Sequence, residues 1–329
     1  MKQIKYIGVI CCLCLCFFTG CSASKYKEAV ELFEKEEYSK AMELFAEISD
    51  YEDSKSKVAE CKYYLGIACM DNEEWESAID YFKDIAYKDS LELLKHCERE
   101  KGMHENSDYE FLSELEKSIL DRMESANQSE VDQTQIVNKE LVYIEKFKDA
   151  TFYDDVLKEI AESYIYGLYV QRDALAKEYY YEYQIEWQRG MVIREDALYK
   201  LYNDYNFMTD NKDFVTVYIV DYGDSKKLLT AYETIEADLD AQLKGGGILV
   251  EWDEYRRSVS FTLQNNTQYT YDTVFEFDFV DGNNTLIESD NVYIRNIKPY
   301  SSFVVTAYIS NFYNVKTYYY HNYYENVKY

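Results

Sequence analysis

Apolar residues recur at helical spacing in residues 26–99, and the pattern occurs twice. One copy runs from Tyr38 to Cys61 and the second from Trp75 to Cys97. Equivalent positions are 36 or 37 residues apart: Tyr38 and Trp75, Ala41 and Ala78, Phe45 and Phe82, Ile48 and Ile85, Tyr51 and Tyr87, Asp53 and Asp89, Ser54 and Ser90, and Cys61 and Cys97. Because a period in this range is typical of stacked helix pairs, the pattern predicts helical repeats over residues 22–104.

Each copy places a small, an aromatic and an aliphatic residue on one helical stripe, as at Ala41, Phe45 and Ile48. Asp53 and Asp89 each precede a serine and predict the N-caps of the following helices. The stripe resembles the tetratricopeptide repeat, in which the small residue lets two helices approach closely. That resemblance implies a concave groove that binds a peptide or a protein. The alternative is that so few repeats only space other domains.

Residues 105–244 continue the helical pattern without the repeat. Apolar residues share a helix face in five segments: Tyr109, Leu112, Ile119 and Met123; Val131, Leu141, Ile144 and Phe147; Val156, Ile160, Tyr164 and Leu168; Leu198, Leu201, Tyr202 and Tyr205; and Leu228, Tyr232, Ile235 and Leu239. Short polar breaks between such helices predict an antiparallel bundle or a long hairpin. Residues 214–220 are rich in strand formers, but their helical surroundings favour a helix over a strand.

The hydrophobic period changes from 3.6 to 2 after residues 245–247, three glycines that predict a hinge. Beyond them, apolar residues alternate with polar ones: Val259, Phe261 and Leu263; Phe275, Phe277 and Phe279; and Phe303, Val305, Ala307 and Ile309. Turn-forming residues lie at 265–266, 281–284 and 298–299. The pattern predicts a small β-sandwich over residues 248–329, with a core separate from that of the helices.

Residues 277–281 read Phe-Asp-Phe-Val-Asp and resemble the Phe-x-Leu-Tyr-Asp signature of an immunoglobulin-like domain of prokaryotic surface proteins. Residues 297–303 resemble the downstream turn of the same family. The resemblance implies an immunoglobulin-like sandwich and no particular activity. The predicted fold class is therefore multidomain, α then β: helical repeats, a helical bundle and a C-terminal β-sandwich.

Residues 1–21 have the pattern of an export signal, because two lysines precede an apolar run over residues 6–18 that is too short to span a bilayer comfortably. Residues 18–21, Phe-Thr-Gly-Cys, resemble the bacterial lipobox. The resemblance implies cleavage between Gly20 and Cys21 and attachment of diacylglycerol to the Cys21 thiol. It thus implies an extracytoplasmic protein that is lipid-anchored to the bacterial cell membrane. The alternative is an ordinary secretory signal.

The chain of 329 residues carries a net charge of −27, which is spread along its length. We find no basic patch or motif that would hold phosphates, which argues against nucleic acid as a partner. An anionic membrane surface would repel this charge, so membrane attachment requires a hydrophobic group such as the lipid. The 37 tyrosines favour amphipathic packing, with a carbohydrate-binding surface as the alternative.

Three cysteines follow the predicted lipid anchor: Cys61, Cys69 and Cys97. Their number is odd, and Cys61 and Cys97 occupy equivalent repeat positions where a small apolar residue would pack between helices. The sequence therefore predicts buried free thiols rather than a disulfide.

Motifs that carry chemistry are scarce. The three histidines are far apart in sequence, and no nucleophile elbow, zinc-binding helix or phosphate loop occurs. Asp281, Gly282 and Glu288 have the spacing of the end of an EF-hand loop, but phenylalanines occupy the two leading ligand positions, so we predict a β-turn there. The sequence thus predicts no catalytic residue, cofactor or metal.

We therefore expect a non-catalytic lipoprotein that binds or scaffolds an unidentified protein of the cell envelope. Tyr38 and Trp75 of the repeats, and Tyr318, Tyr320 and Tyr323 of the last strand, are the candidate interaction surface. A cell-wall glycan is the alternative ligand, which the tyrosine-rich strand would bind by stacking. An enzyme with a scattered carboxylate site is the third hypothesis, and 62 acidic residues give it no specific signal.

Overall fold

The computed structural model describes residues 22–126, 132–177, 180–244, 251–253, 255, 257–310 and 315–328. Its elements are helical up to Lys244 and β-strands from Glu251, so the predicted order of α then β is confirmed. Backbone contacts divide the chain into two compact units, of which the first ends at Tyr109 and the second begins at Glu110. The triple glycine at 245–247 lies outside the described residues.

The first unit is built from short helices. They are α1 (residues 22–34), α2 (Tyr38–Glu47), α3 (Ser54–Asp71), α4 (Trp75–Phe82) and α5 (Ser90–Glu105), followed by the start of α6 (Asp108–Ala126). The predicted stripe is buried in both copies, since Ala41, Phe45, Ala78 and Phe82 are at most 1% exposed. A methyl group on Gly66 of α3 would lie within 3 Å of the Phe82 ring, so the absence of a side chain there lets α3 and α4 approach closely.

The same side-chain contact also occurs at equivalent positions of the two copies. Tyr26 of α1 packs edge-on against Phe45, and Tyr63 of α3 packs edge-on against Phe82, with ring centroids 5.6 and 6.2 Å apart. Glu52 and Lys88, in the equivalent turns, both have positive φ angles, of 48° and 49°. The two successive helix pairs therefore share a ring contact and a turn conformation at equivalent positions.

The aspartates that precede α3 and α5 have a role that the sequence did not predict. Asp53 and Asp89 occupy the N-cap positions, but their side chains accept no hydrogen bond from the backbone of the helix. Instead, the hydroxyl of Tyr26 donates to Asp53, and the hydroxyl of Tyr63 donates to Asp89 over 2.8 Å. The turn before α3 is thus tied to α1 and the turn before α5 to α3, because a tyrosine hydroxyl reaches the carboxylate that a capping backbone N–H would otherwise occupy.

The second unit contains the remaining helices. They are the rest of α6, then α7 (Gln133–Ile144), a 3₁₀ turn (Glu145–Asp149), α8 (Asp155–Leu175), α9 (Tyr180–Tyr205), α10 (Lys212–Phe214), a π-helix (Val215–Val220) and α11 (Asp224–Lys244). Residues 214–220 are therefore helical, as predicted, although Val215–Val220 form the rare π type. Val156, which we predicted in the buried stripe of α8, is 55% exposed because the adjacent Leu157 takes the inward position in the first turn.

Six strands follow the helices. They are β1 (Glu251–Asp253), β2 (Ser258–Gln264), β3 (Thr270–Val280), β4 (Leu286–Ile297), β5 (Ser302–Tyr308) and β6 (Thr317–Lys328). They form two three-stranded antiparallel sheets, ordered β1-β2-β5 and β4-β3-β6. The predicted alternation is confirmed, since all ten alternating apolar residues from Val259 to Ile309 are buried. Their inward side chains come from both sheets and belong to one cluster.

The prediction that the strands have a core of their own is wrong. The cluster that contains Phe275 and Phe277 also contains Ile235 and Leu239 of α11, together with Ile185 of α9. Hydrogen bonds reinforce this packing. The side-chain amide of Gln242 accepts from the backbone N–H of Gln264 and donates to its carbonyl, over 2.9 and 2.7 Å. An apolar stripe shows which face of a helix is buried but not what covers it, so the sequence could not show that α11 packs on the sheets.

Candidate functional site

A patch of half-buried aromatic rings lies on the first unit around Tyr38. Tyr38 stacks on Tyr64 with ring centroids 4.8 Å apart and an angle of 14° between the rings. Phe33 packs edge-on against both of them, at 5.3 and 6.0 Å. We call Phe33, Tyr38, Tyr64 and Tyr87 the aromatic patch. Because half-buried aromatic residues are enriched at protein interfaces, the patch is a candidate contact surface.

Lys88 lies in the turn before α5, and its ammonium group is close to rings of this patch. Its ammonium nitrogen lies 4.8, 4.9 and 5.1 Å from the ring centroids of Tyr63, Tyr64 and Tyr87. The ammonium group also donates a hydrogen bond of 3.2 Å to the Tyr64 hydroxyl. Hydrogen bonding to Tyr64 raises the pKa of Lys88, so this residue stays charged. The patch therefore holds a cation on its rings by cation–π attraction.

Trp75, the repeat equivalent of Tyr38, has a different environment. It stacks on His104 at 6.3 Å and meets His96 edge-on at 6.1 Å. His104 in turn lies 4.4 Å from the ring of Tyr109. Both predicted repeat residues, Tyr38 and Trp75, are thus half-buried in clusters of rings rather than isolated on the surface.

The tyrosines of β6 alternate between the core side and the outer side. Tyr318 and Tyr320 pack against the core cluster, with the Phe277 ring 6.0 and 5.8 Å from their centroids, and burial raises the pKa of both. Tyr319 faces outward and is 50% exposed. The side chain of Tyr323 lies outside the described residues. A sugar-stacking platform needs exposed rings, and Tyr318 and Tyr320 do not offer one, so this geometry does not favour the glycan alternative.

A buried charge cluster in the second unit joins four helices. The carboxylate of Glu140 on α7 pairs with Arg122 of α6 over 2.6 Å and with Arg194 of α9 over 3.0 Å. The hydroxyl of Tyr164 on α8 donates to Glu140, and Arg194 donates to the Tyr164 oxygen over 2.9 Å and to the side-chain oxygen of Gln171 over 3.0 Å. We call Arg122, Glu140, Tyr164, Gln171 and Arg194 the arginine cluster.

Burial alone would raise the pKa of Glu140, but the charges of Arg194 and Arg122 outweigh it and hold that pKa below its usual range. Burial raises the pKa of Tyr164 strongly, so its hydroxyl remains a donor. The cluster is therefore ionised at Glu140 and at both arginines. The side chains of Glu140 and Arg194 are 1% and 2% exposed, so little solvent screens them.

The arginine cluster was not predicted from the sequence. Glu140 lies between Val137 and Leu141, on the buried side of α7, and Arg194 precedes Ala197 and Leu198 on the buried side of α9. A charged residue on an otherwise apolar stripe was the available signal. The sequence alone cannot pair such residues, because they come from helices that are far apart along the chain.

The remaining candidate positions have structural explanations. Cys61, Cys69 and Cys97 are free thiols, and Cys61 and Cys97 are buried. Burial raises the pKa of the Cys61 thiol to about 11. Asp281 forms the turn between β3 and β4, where its carboxylate accepts from the backbone N–H groups of Asn283 and Thr285. The described ranges contain no cluster of His, Cys, Asp or Glu that could hold a metal.

Gly20 and Cys21, the predicted cleavage and lipidation positions, lie outside the described residues. Among the described helices, none combines the length and the apolar character needed to cross a bilayer. Comparison with protein-family models, with curated proteins and with solved structures gives no match.

Proposed function

We propose that this chain is an exported lipoprotein that binds another protein of the cell envelope through its repeat unit and performs no catalysis. The observation that carries the proposal is the aromatic patch, in which Tyr38 and Tyr64 stack beside Phe33 while remaining half-exposed. Rings fixed by their neighbours lose little conformational entropy on binding, which makes them effective anchors for a partner.

The charges around the patch also support a protein partner. Lys88 is exposed and has no carboxylate partner among the residues that the structure describes. Lys57, which lies 4.7 Å from the Phe33 ring, already pairs with Glu60 over 2.8 Å. An acidic side chain of a partner would therefore pair with Lys88 beside Tyr64 and Tyr87 of the patch, in a chain that is otherwise strongly acidic.

We further propose a tetratricopeptide-like stack for the first unit and an immunoglobulin-like sandwich for the strands. The repeated contacts of Tyr26 and Tyr63 support the stack. The two three-stranded sheets with a common interior support the sandwich. In this arrangement, lipid on Cys21 holds the repeat unit close to the membrane, because only three residues separate Cys21 from Lys25.

The anchor is tested by Cys21→Ala, which removes the thiol that would accept the diacylglycerol. The variant is expected to remain uncleaved or to be released from the membrane fraction. Cys61→Ala is the control, since that thiol is buried in the repeat unit. A Cys21→Ala protein that is of mature size and still sediments with membranes would show that the lipobox interpretation is wrong.

The interaction is tested by photo-crosslinking in intact cells. A benzophenone analogue of phenylalanine replaces Tyr38 in one strain and Leu91 in a second, because Leu91 is 63% exposed but lies outside the patch. We expect one discrete crosslinked protein from position 38, lost when Tyr64 is also changed to Ser, and none from position 91. No adduct at position 38, or the same adducts at both positions, would contradict a binding role for the patch.

A further inference from the structure

A cleft of about 790 Å³ opens in the second unit beside the arginine cluster. One wall is the C-terminal half of α6 and the other is the segment that leads into the π-helix. Its lining includes Leu120, Arg122, Met123, Thr216, Val217 and Tyr218. A π-helix widens the backbone turn and is frequent at functional sites. Here it carries Tyr218, which is only 8% exposed, to the edge of the cleft.

The charges beneath the cleft do not balance. Among the direct ion pairs of the described residues, Arg122 and Arg194 share the single carboxylate of Glu140, which leaves one positive charge in excess within the arginine cluster. Glu195 follows Arg194 in the chain and the two charges interact, but among the described residues its carboxylate forms no direct ion pair and accepts a hydrogen bond from the Ser225 hydroxyl over 2.7 Å. An uncompensated charge away from solvent is costly, and a bound anion would remove the imbalance.

Two side chains at the cleft have hydrogen-bond donors without an acceptor among the described residues. Within the described part of the chain, Arg122 makes its one hydrogen bond through Nη1, to Glu140, so its other N–H groups have no protein acceptor. The hydroxyl of Tyr218 has no hydrogen-bond partner among the same residues. Burial raises the pKa of Tyr218, which keeps this hydroxyl protonated and able to donate. Both donors belong to side chains that line the cleft.

We propose that the cleft binds a ligand with one carboxylate group attached to an apolar body. The carboxylate accepts hydrogen bonds from Arg122 and Tyr218 and neutralises the excess charge of the arginine cluster. The apolar body lies against Leu120, Met123 and Val217, of which Leu120 and Val217 are otherwise 42% and 56% exposed.

The rim of the cleft adds selectivity. Glu124 and Asp213 also line it, and both are exposed, so water and salt screen their charges. The Arg122 side chain is only 11% exposed and its charge is screened less. The two rim carboxylates repel a polyanion such as a nucleotide more than they repel a single carboxylate. We therefore expect a monocarboxylate to bind in preference to a phosphate-rich ligand.

The test uses N-acetyl-leucine as the probe and N-acetyl-leucinamide, which lacks the negative charge, as its matched control. Binding to the full chain is measured by isothermal titration. N-acetyl-leucine is expected to bind at least about tenfold more tightly than the amide, since hydrogen bonds to a charged group contribute about 1.5–3 kcal/mol. Arg122→Met and Tyr218→Phe should each remove most of this preference. Arg172→Met, at an exposed arginine outside the cleft, should leave it unchanged.

Arg122→Met is expected to keep the fold, because it leaves Glu140 and Arg194 as a balanced pair. Circular dichroism checks this, and Tyr218→Phe, which removes one oxygen atom, provides a second test if Arg122→Met is unstable. Failure of N-acetyl-leucine to bind at millimolar concentration, equal affinity for the amide, or undiminished binding by both variants would each overturn the proposal.

Discussion

At the scale of single residues, the most consequential group is Glu140, because it is the one carboxylate shared by Arg122 and Arg194. Its folded-state pKa lies below that of an unfolded glutamate, which is about 4.3. A depressed carboxyl pKa stabilises the folded state at every pH above the unfolded value. That contribution disappears as the pH falls through the folded pKa.

Glu140→Gln is therefore expected to lower the free energy of unfolding by about 3–5 kcal/mol at pH 7, because two buried arginines lose their counter-charge. The difference from the unchanged protein should begin to shrink below about pH 4, where Glu140 of the unfolded chain becomes protonated while the folded-state carboxylate is still ionised. Urea unfolding at several pH values measures both effects. Glu145→Gln, at an exposed carboxylate that accepts from Tyr169, is the control and should change stability little. A loss of unfolding free energy that is constant between pH 3 and pH 7 would contradict an ionised Glu140 in the folded protein.

The cysteines give a second prediction at this scale. Cys61 and Cys97 are fully buried, and Cys69 is half-buried. Since the thiolate is the reactive form and burial raises the pKa of all three thiols, we expect iodoacetamide at pH 8 to label Cys69 first in the folded protein. Cys61 and Cys97 should react only after unfolding. Mass spectrometry of the labelled peptides measures the order, and fast labelling of Cys61 would contradict it.

At the scale of elements, the sequence predicts the features that follow from hydrophobic period and residue spacing. The buried helical stripes, the alternating strands and the turn at Asp281 all appear in the structure because each depends on residues close in sequence. The interaction of Tyr63 with Asp89 and the crossing of α8 with α9 depend on residues 26 and 23 positions apart. No local pattern specifies such contacts, which is why the aspartates were predicted as simple caps.

The crossing of α8 and α9 is tested by Gly190→Ala. A methyl group at Gly190 would lie 2.7 Å from the carbonyl oxygen of Gly167, on the facing helix, so the two backbones would have to separate. Overpacking of this kind costs about 1–3 kcal/mol, while alanine regains about 1 kcal/mol of helix propensity. We expect a net loss of about 1–2 kcal/mol in chemical unfolding.

The control for this prediction is Gly282→Ala in the turn between β3 and β4. The nearest atom to a methyl group there is the Cγ atom of Lys316, at 3.8 Å, so the substitution should be neutral within about 0.5 kcal/mol. Greater stability of the Gly190→Ala protein would show that α8 and α9 are not held at this distance.

At the scale of the whole chain, the order of α then β is predictable from the change of period, but the extent of each cooperative unit is not. The three glycines at 245–247 suggested independent folding on either side. The structure instead gives α11 and both sheets one cluster of buried residues. Asp238 of α11 adds two hydrogen bonds to Asn266, of 2.9 and 2.8 Å, in the loop after β2. A run of glycines in the sequence therefore does not by itself mark two separate cores, because the helices before it and the strands after it can share one.

Because the strands and α11 share a core, a destabilising substitution in a strand should also destabilise α11. Phe277 of β3 is fully buried, and Phe277→Ala should cost about 3–5 kcal/mol. Native-state hydrogen exchange of the full chain measures where that loss appears. If the strands and α11 unfold together, amide protection at Phe275–Phe279 and at Ile235–Leu239 should fall by the same free energy. Leu91→Ala, at an exposed position of the first unit, is the control and should leave both segments unchanged. Loss of protection in β3 with α11 unaffected would mean that residues 248–329 unfold as an independent domain, as the sequence alone suggested.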